Sequence, residues 1–145
     1  MATPTNTQFS VAVHVLGYLA AFNEDRLIGS DELAESVNAS PVYIRRALGP
    51  LREAGMIRSH AGAHGGWEIV ADPQQITLAD VWNLLQKDDA VLGLHAADPN
   101  CPVGSAVHEL LGQVDRDVAA AIENELAATT IAQLAERAEA KLANN

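Results

Sequence analysis

The chain has 145 residues, nine basic and nineteen acidic side chains, one cysteine and a formal net charge of −10. It is 48% apolar but only 4% aromatic, so small aliphatic side chains must fill the core of what its length suits, one domain, alone or with an appended helical arm. This composition excludes charge-driven disorder, a disulfide scaffold and a helical membrane span, since no apolar run approaches about 18 residues.

The N-terminal run MATPTNTQFS has neither the basic start nor the apolar stretch of a signal peptide. With a single thiol, the expected location is a reducing cytoplasm. From Phe9 to Phe22, apolar residues recur at helical spacing (Phe9, Val13, Leu16, Leu19, Ala20), and Asn23, Glu24 and Asp25 break the pattern. Ser30 is the expected N-cap of a second helix running to about Val37, with Asp31 and Glu32 suiting its positive end. Asn38 and Ala39 then make a turn. Ser40-Pro41 opens a third helix, Ser40 as cap and Pro41 at the position where its missing N–H costs nothing. Ile44, Ala47, Leu48 and Leu51 form its inner stripe. Pro50 predicts a kink or a tightened last turn, and Gly55 a C-terminal stop.

Residues 56–61 and 67–70 read as short strands around a turn rich in glycine (Gly62, Gly65, Gly66), a β-hairpin. Thr77-Leu-Ala-Asp80 is a capping-box variant before a helix through Val81, Leu84 and Leu85. Residues 87–102 are irregular. A long helix follows from about Val103 to Ala127, roughly 37 Å at 1.5 Å per residue. Its stripe of Val107, Leu110, Leu111, Val114, Val118, Ile122 and Leu126 is too long for a small domain to cover, and predicts a dimer interface. Thr130-Ile-Ala-Gln133 caps a final helix with Ile131, Leu134, Ala138 and Leu142 on one face.

Helix, helix, helix, hairpin, helix is the order of a winged helix-turn-helix. The expected fold is therefore mainly α with a small β-hairpin, organised as a DNA-binding domain over 1–85, a hinge over 86–104 and a helical dimerisation arm over 105–145. A net charge of −10 taken whole would argue against a polyanionic partner. The charge is unevenly spread, however. Residues 40–67 carry Arg45, Arg46, Arg52 and Arg58 against Glu53 alone, or +3, while the other residues hold five basic and eighteen acidic side chains, or −13. Arginine forks match guanine edges and phosphates. The candidate DNA-contacting set is Ser40, Pro41, Val42, Tyr43, Arg45, Arg46 and Arg52 on the third helix, with Arg58, Ser59, His60, Gly62, His64 and Gly65 on the wing. The first helical turn adds N–H groups suited to a phosphate. His60 and His64 read equally well as solvated wing residues.

The run Ser40-Pro-Val-Tyr-Ile-Arg-Arg-Ala-Leu48, followed by Leu51, Ala54-Gly55, Ser59, Gly62, Gly65-Gly66, Ile69 and Ile76-Thr-Leu-Ala-Asp-Val81, resembles the Rrf-two (BadM-type) family of winged-helix transcriptional regulators. The resemblance covers nearly the whole chain. It implies a symmetric dimer built on the long helix, reading a palindromic operator in double-stranded DNA, most simply as a repressor. Two-fold symmetry would place the recognition helices about one DNA turn, roughly 34 Å, apart. Cluster-binding members of that family place three cysteines around the region matching 86–105, and some add a histidine. Here Cys101 stands alone and Gly104 falls where a histidine would follow, so no iron–sulfur cluster, and no other cofactor, is expected. The wing also lacks an arginine common before its first glycine; Ala61 stands there.

Cys101 precedes a helix N-terminus, whose dipole favours thiolate, and is the candidate sensor of an oxidant or small effector. The bland reading makes it a small buried hydrophobe. His95, Cys101 and His108, with Asp98, match no strong metal-binding pattern, and no metal is expected. Trp82 and the apolar patch at 91–94 could line a small effector pocket. No enzyme is expected, because no base stands near the thiol in a recognisable motif. The alternative function is regulation through a protein partner or small effector, with Cys101 structural.

Overall fold

The computed structural model describes residues 4–22, 25–87 and 89–145; the break expected at Asn23 and Glu24 lies outside them. The first helix, α1 (Pro4–Phe22), starts a turn and a half before Phe9, proline being tolerated in a first helical turn. It buries Val11, Ala12, Val15, Leu16 and Leu19. α2 (Ser30–Val37) packs Leu33 and Ala34 inward and ends at Asn38, whose left-handed φ of 63° turns the chain. α3 (Pro41–Ala47) and α4 (Gly49–Glu53) are the third helix broken at Leu48. Pro50 lacks the N–H that would continue the ladder, which is the expected kink. Ile44, Leu48 and Leu51 remain fully buried across the break, and Gly55 ends the segment at φ 77°.

The hairpin pairs β1 (Ile57–His60) with β2 (Gly66–Ile69) in antiparallel register, Ile57 opposite Ile69 and Arg58 opposite Glu68. Ile28 adds a third edge by exchanging two backbone hydrogen bonds with Trp67 (2.8 and 3.0 Å). After a 3-10 turn at Pro73–Gln75, α5 (Leu78–Gln86) begins at the full Thr77–Asp80 capping box. α6 (Pro102–Leu126) and α7 (Ile131–Ala143) close the order.

The span 105–145, expected as one arm, holds two helices in different surroundings. No residue of α6 is buried. α7 instead packs along α1, with Ile131 fully buried in the same core. A backbone bridge joins its start to that of α5: the Leu78 N–H donates to the Thr129 carbonyl and the Ile131 N–H to the Ile76 carbonyl, both at 2.9 Å. Gly17 allows the close approach, because a Cβ there would lie 2.6 Å from Leu134 Cδ2.

Candidate nucleic-acid interface

Ser40 caps α3 as its sequence predicts, its Oγ accepting from the Tyr43 N–H at 3.1 Å. That cap changes one expectation. Pro41 has no N–H, and those of Tyr43 and Ile44 donate to the Ser40 side chain and carbonyl. The first turn therefore offers few free donors to a phosphate, and what α3 leaves open is its exposed side chains. Burying Ile44 and Leu48 turns Val42 (59% exposed), Arg45 and Arg46 out to solvent.

Arg45 and Arg52 face the wing across a cleft of about 440 Å³. Its other walls are the start of α2 at Gly29, Ser30 and Asp31, and the wing residues Ser59, His60, Ala61, Gly62, Gly65, Gly66 and Trp67. The tertiary structure thus joins six of the expected contact residues: Arg45, Arg52, Ser59, His60, Gly62 and Gly65. Arg46 and His64 are exposed but stand outside this cleft, at the helix surface and the wing tip. Gly62 has φ 104°, favouring glycine, and a Cβ on Gly65 would lie 2.1 Å from the His60 carbonyl oxygen. The wing can turn this tightly only with glycine at those two places.

The start of α2 is the part of the cleft that sequence reasoning missed. Ser30 is not the N-cap; Gly29 is, without a side-chain cap bond. The Ser30 hydroxyl instead accepts from the Trp67 indole N–H at 3.0 Å, so a serine suited to capping ties the wing to α2. Nothing local in the sequence pairs two residues 37 positions apart. A second missed group sits behind α2. Glu32 accepts from both Arg26 guanidinium nitrogens (2.8 Å each) and from the Tyr18 hydroxyl (2.6 Å), bracing α2 against α1. The Arg26 hydrogen bonds, and then that of Tyr18, hold the Glu32 carboxyl down at about 2. Burial, and then the neighbouring carboxylate, raise the Tyr18 phenol.

The wing carries its own counter-charge. Arg58 is 63% exposed in its side chain and faces Glu68, Nη1 to Oε1 at 3.9 Å, while the Glu68 Oε2 lies 2.9 Å from His60 Nε2. Glu68 is one residue past the basic segment, and its position across the hairpin lowers the charge of that surface.

At the other end of the domain, the Trp82 ring meets Phe9 edge-on at 5.4 Å. Residues 89–101 lie along α6, where the Leu92 N–H donates to Asp115 Oδ1 at 2.6 Å. Cys101 is itself the N-cap of α6: its Sγ accepts from the Gly104 N–H at 3.5 Å. It is exposed, which corrects the reading of a buried hydrophobe. Asp98, Gly104 and His108 line a neighbouring hollow of about 370 Å³. On α6, Leu110 (64% exposed) and Val114 (37%) are the most open of the expected interface residues; Val107, Leu111, Val118, Ile122 and Leu126 are half-buried.

Residues 5–137 match the family model named Rrf2, described as iron-dependent transcriptional regulators. YwnA of Bacillus subtilis, an HTH-type transcriptional regulator by name, is 33% identical over 127 residues, covering 87% of this chain and 92% of its own. Among solved structures, a Lactobacillus plantarum chain named for transcriptional regulation superposes with a TM-score of 0.73 at 28% identity, over 88% of this chain and 86% of that one. The oxidised form of Staphylococcus aureus CymR gives 0.66 at 28% identity, over 92% and 97%. Iron, or an iron–sulfur cluster, needs several thiolate, imidazole or carboxylate ligands converging on one point. This chain has one cysteine, already capping α6, and among the described residues no three such side chains come together to hold a metal. Its residues do not fit the iron of the family's description. The match over nearly the whole length, and the winged helix that accompanies it, make the chain a member of the Rrf2 family of transcriptional regulators.

Proposed function

We propose that the protein is a dimeric, sequence-specific repressor that reads a palindromic operator in double-stranded DNA. The observation that carries this is the cleft in which Arg45 and Arg52 oppose the glycine wing. α3 lies in the major groove, with Arg45 and Arg46 on base edges and Ser40, Pro41, Val42 and Tyr43 at the groove wall. Arg52, Arg58, Ser59, His60, Gly62, His64 and Gly65 follow the neighbouring backbone. The exposed face of α6 packs on its two-fold mate, which supplies the same unpartnered stripe. The acidic remainder of the chain discourages loose adsorption and turns the basic face toward the duplex.

The test is selection of bound duplexes from a random pool, followed by affinity measured against salt. A palindrome should emerge, and its affinity should fall steeply and linearly on a log–log plot. Recovery of no duplex, or a flat salt response, overturns the reading.

Cys101 supplies the regulatory part of the proposal. It is exposed to solvent and caps the N-terminus of α6, where an oxidant can reach its sulfur. Hydrogen peroxide oxidises the Cys101 thiol to sulfenic acid: its O–O bond breaks, one oxygen bonds to the sulfur and the other leaves as water. Because Cys101 caps the helix that spaces the two recognition helices, the change resets their separation. Operator affinity of the wild type should fall on peroxide treatment while that of Cys101→Ser stays constant; an equal response of both removes the thiol from the mechanism.

A further inference from the structure

The wing presents a carboxylate on the surface read above as a contact for DNA phosphates, which it would repel. β-register puts Arg58 directly opposite Glu68 and His60 on the same face, two residues along. The opposite face carries the buried Ile57 and Trp67, so the three ionisable groups all point outward. Glu68 sits between its neighbours, Oε2 at 2.9 Å from His60 Nε2 and Oε1 at 3.9 Å from Arg58 Nη1. It is the least exposed of the three, 30% against 63% for Arg58 and 40% for His60. A carboxylate held there presents two anionic oxygens to the same donors that a phosphate would use.

We propose that Glu68 is an affinity-setting residue, a built-in competitor that occupies Arg58 and His60 until a DNA phosphate displaces it. This rests on the reading of the wing as a DNA contact. Every duplex, whatever its sequence, must break the same Glu68 contacts to gain the same two donors. The competition therefore weakens binding to all duplexes alike and leaves discrimination to the side chains of α3. Arg45 and Arg52, on the helix side of the cleft, are not engaged by Glu68.

The experiment measures affinity of the full chain for two probes, a mixed-sequence duplex and the best duplex recovered by selection, across a salt series. The wild-type arm tests the underlying reading first: if it binds neither probe, that reading fails and Glu68 falls with it. Given wild-type binding, Glu68→Gln and Glu68→Ala should each tighten binding to both probes about three- to tenfold at low salt. The ratio between the probes should stay the same, and the salt slope should steepen by about one phosphate contact. In an Arg58→Ala/His60→Ala background the same substitutions should gain nothing. A gain that persists there shows only a general loss of negative charge and overturns the proposal. So does a shift in the ratio between probes, which would make Glu68 a base reader. Weaker binding together with a lower Tm would make Glu68 a strut of the hairpin and overturn it as well.

Discussion

The winged helix and α6 solve the same burial problem in opposite ways. In the first 85 residues, apolar stripes from five helices and the hairpin close on one another, and Val15, Leu16, Leu19, Ile28, Leu33, Ile44, Leu48, Leu51 and Val81 are fully buried. α6 has 25 residues and buries none of them, leaving Leu110 and Val114 open. α7 completes that core with Ile131, and the arginines and the wing stand on the surface around it. α6 keeps its apolar stripe at best half-buried. An apolar stripe left that open is costly in water, and a second copy would cover it at no cost in new sequence.

The largest effect that can test this contrast is a core truncation. Leu48→Ala should cost about 2–5 kcal/mol of folding stability, from lost burial plus a cavity at the α3–α4 break; urea denaturation of the purified protein measures it. A cost below 1 kcal/mol would mean that the α3–α4 break relaxes around the cavity. Next comes the surface of the same region. Arg45→Ala should leave the urea midpoint unchanged but weaken operator binding by about 1–3 kcal/mol and relax preference at one base position per half-site. Unchanged affinity would remove Arg45 from the base-reading set.

On α6 the expectation reverses. Leu110→Glu should leave the far-ultraviolet spectrum and the core intact while raising the dimer dissociation constant at least tenfold, about 1.4 kcal/mol, by sedimentation. A dimer that survives the charge would place the interface elsewhere. The smallest effect concerns the brace behind α2. Glu32 is held at about 2 against an ordinary value of 4.5. Its contribution is thus fully present above the ordinary value and is lost as pH falls toward 2. Glu32→Gln should be less stable than wild type by about 0–1 kcal/mol at neutral pH, as suits a partly exposed pair. The gap between the two urea midpoints should close in acid. A gap that does not change with pH would show that the carboxylate charge is not what braces the helix.

Much of the architecture was legible because its signals are local. The Ser40 cap, the Thr77–Asp80 and Thr130–Gln133 boxes, the Pro50 break and the Gly55 stop each depend on residues within a few positions of one another, and the structure shows each of them in place. The arginine-rich segment was equally visible, since burying Ile44 and Leu48 forces Arg45 and Arg46 outward on any helix. Ser30 misled for the same reason. Its type and position suit a cap, but the Trp67 indole, far along the chain, takes its hydroxyl.

The amino-acid sequence by itself determined the elements, their order, the family and the concentration of positive charge in residues 40–67, because helical periodicity, caps and glycine turns are set by neighbours along the chain. Only the tertiary structure decided that Arg45 and Arg52 share a cleft with the wing, that Glu68 faces Arg58 and His60, that Cys101 is exposed at the tip of α6, and that α7 belongs with α1 while no residue of α6 is buried. Those outcomes are set by how separate elements pack against one another. Their energies depend on distance in space, which no spacing along the sequence records.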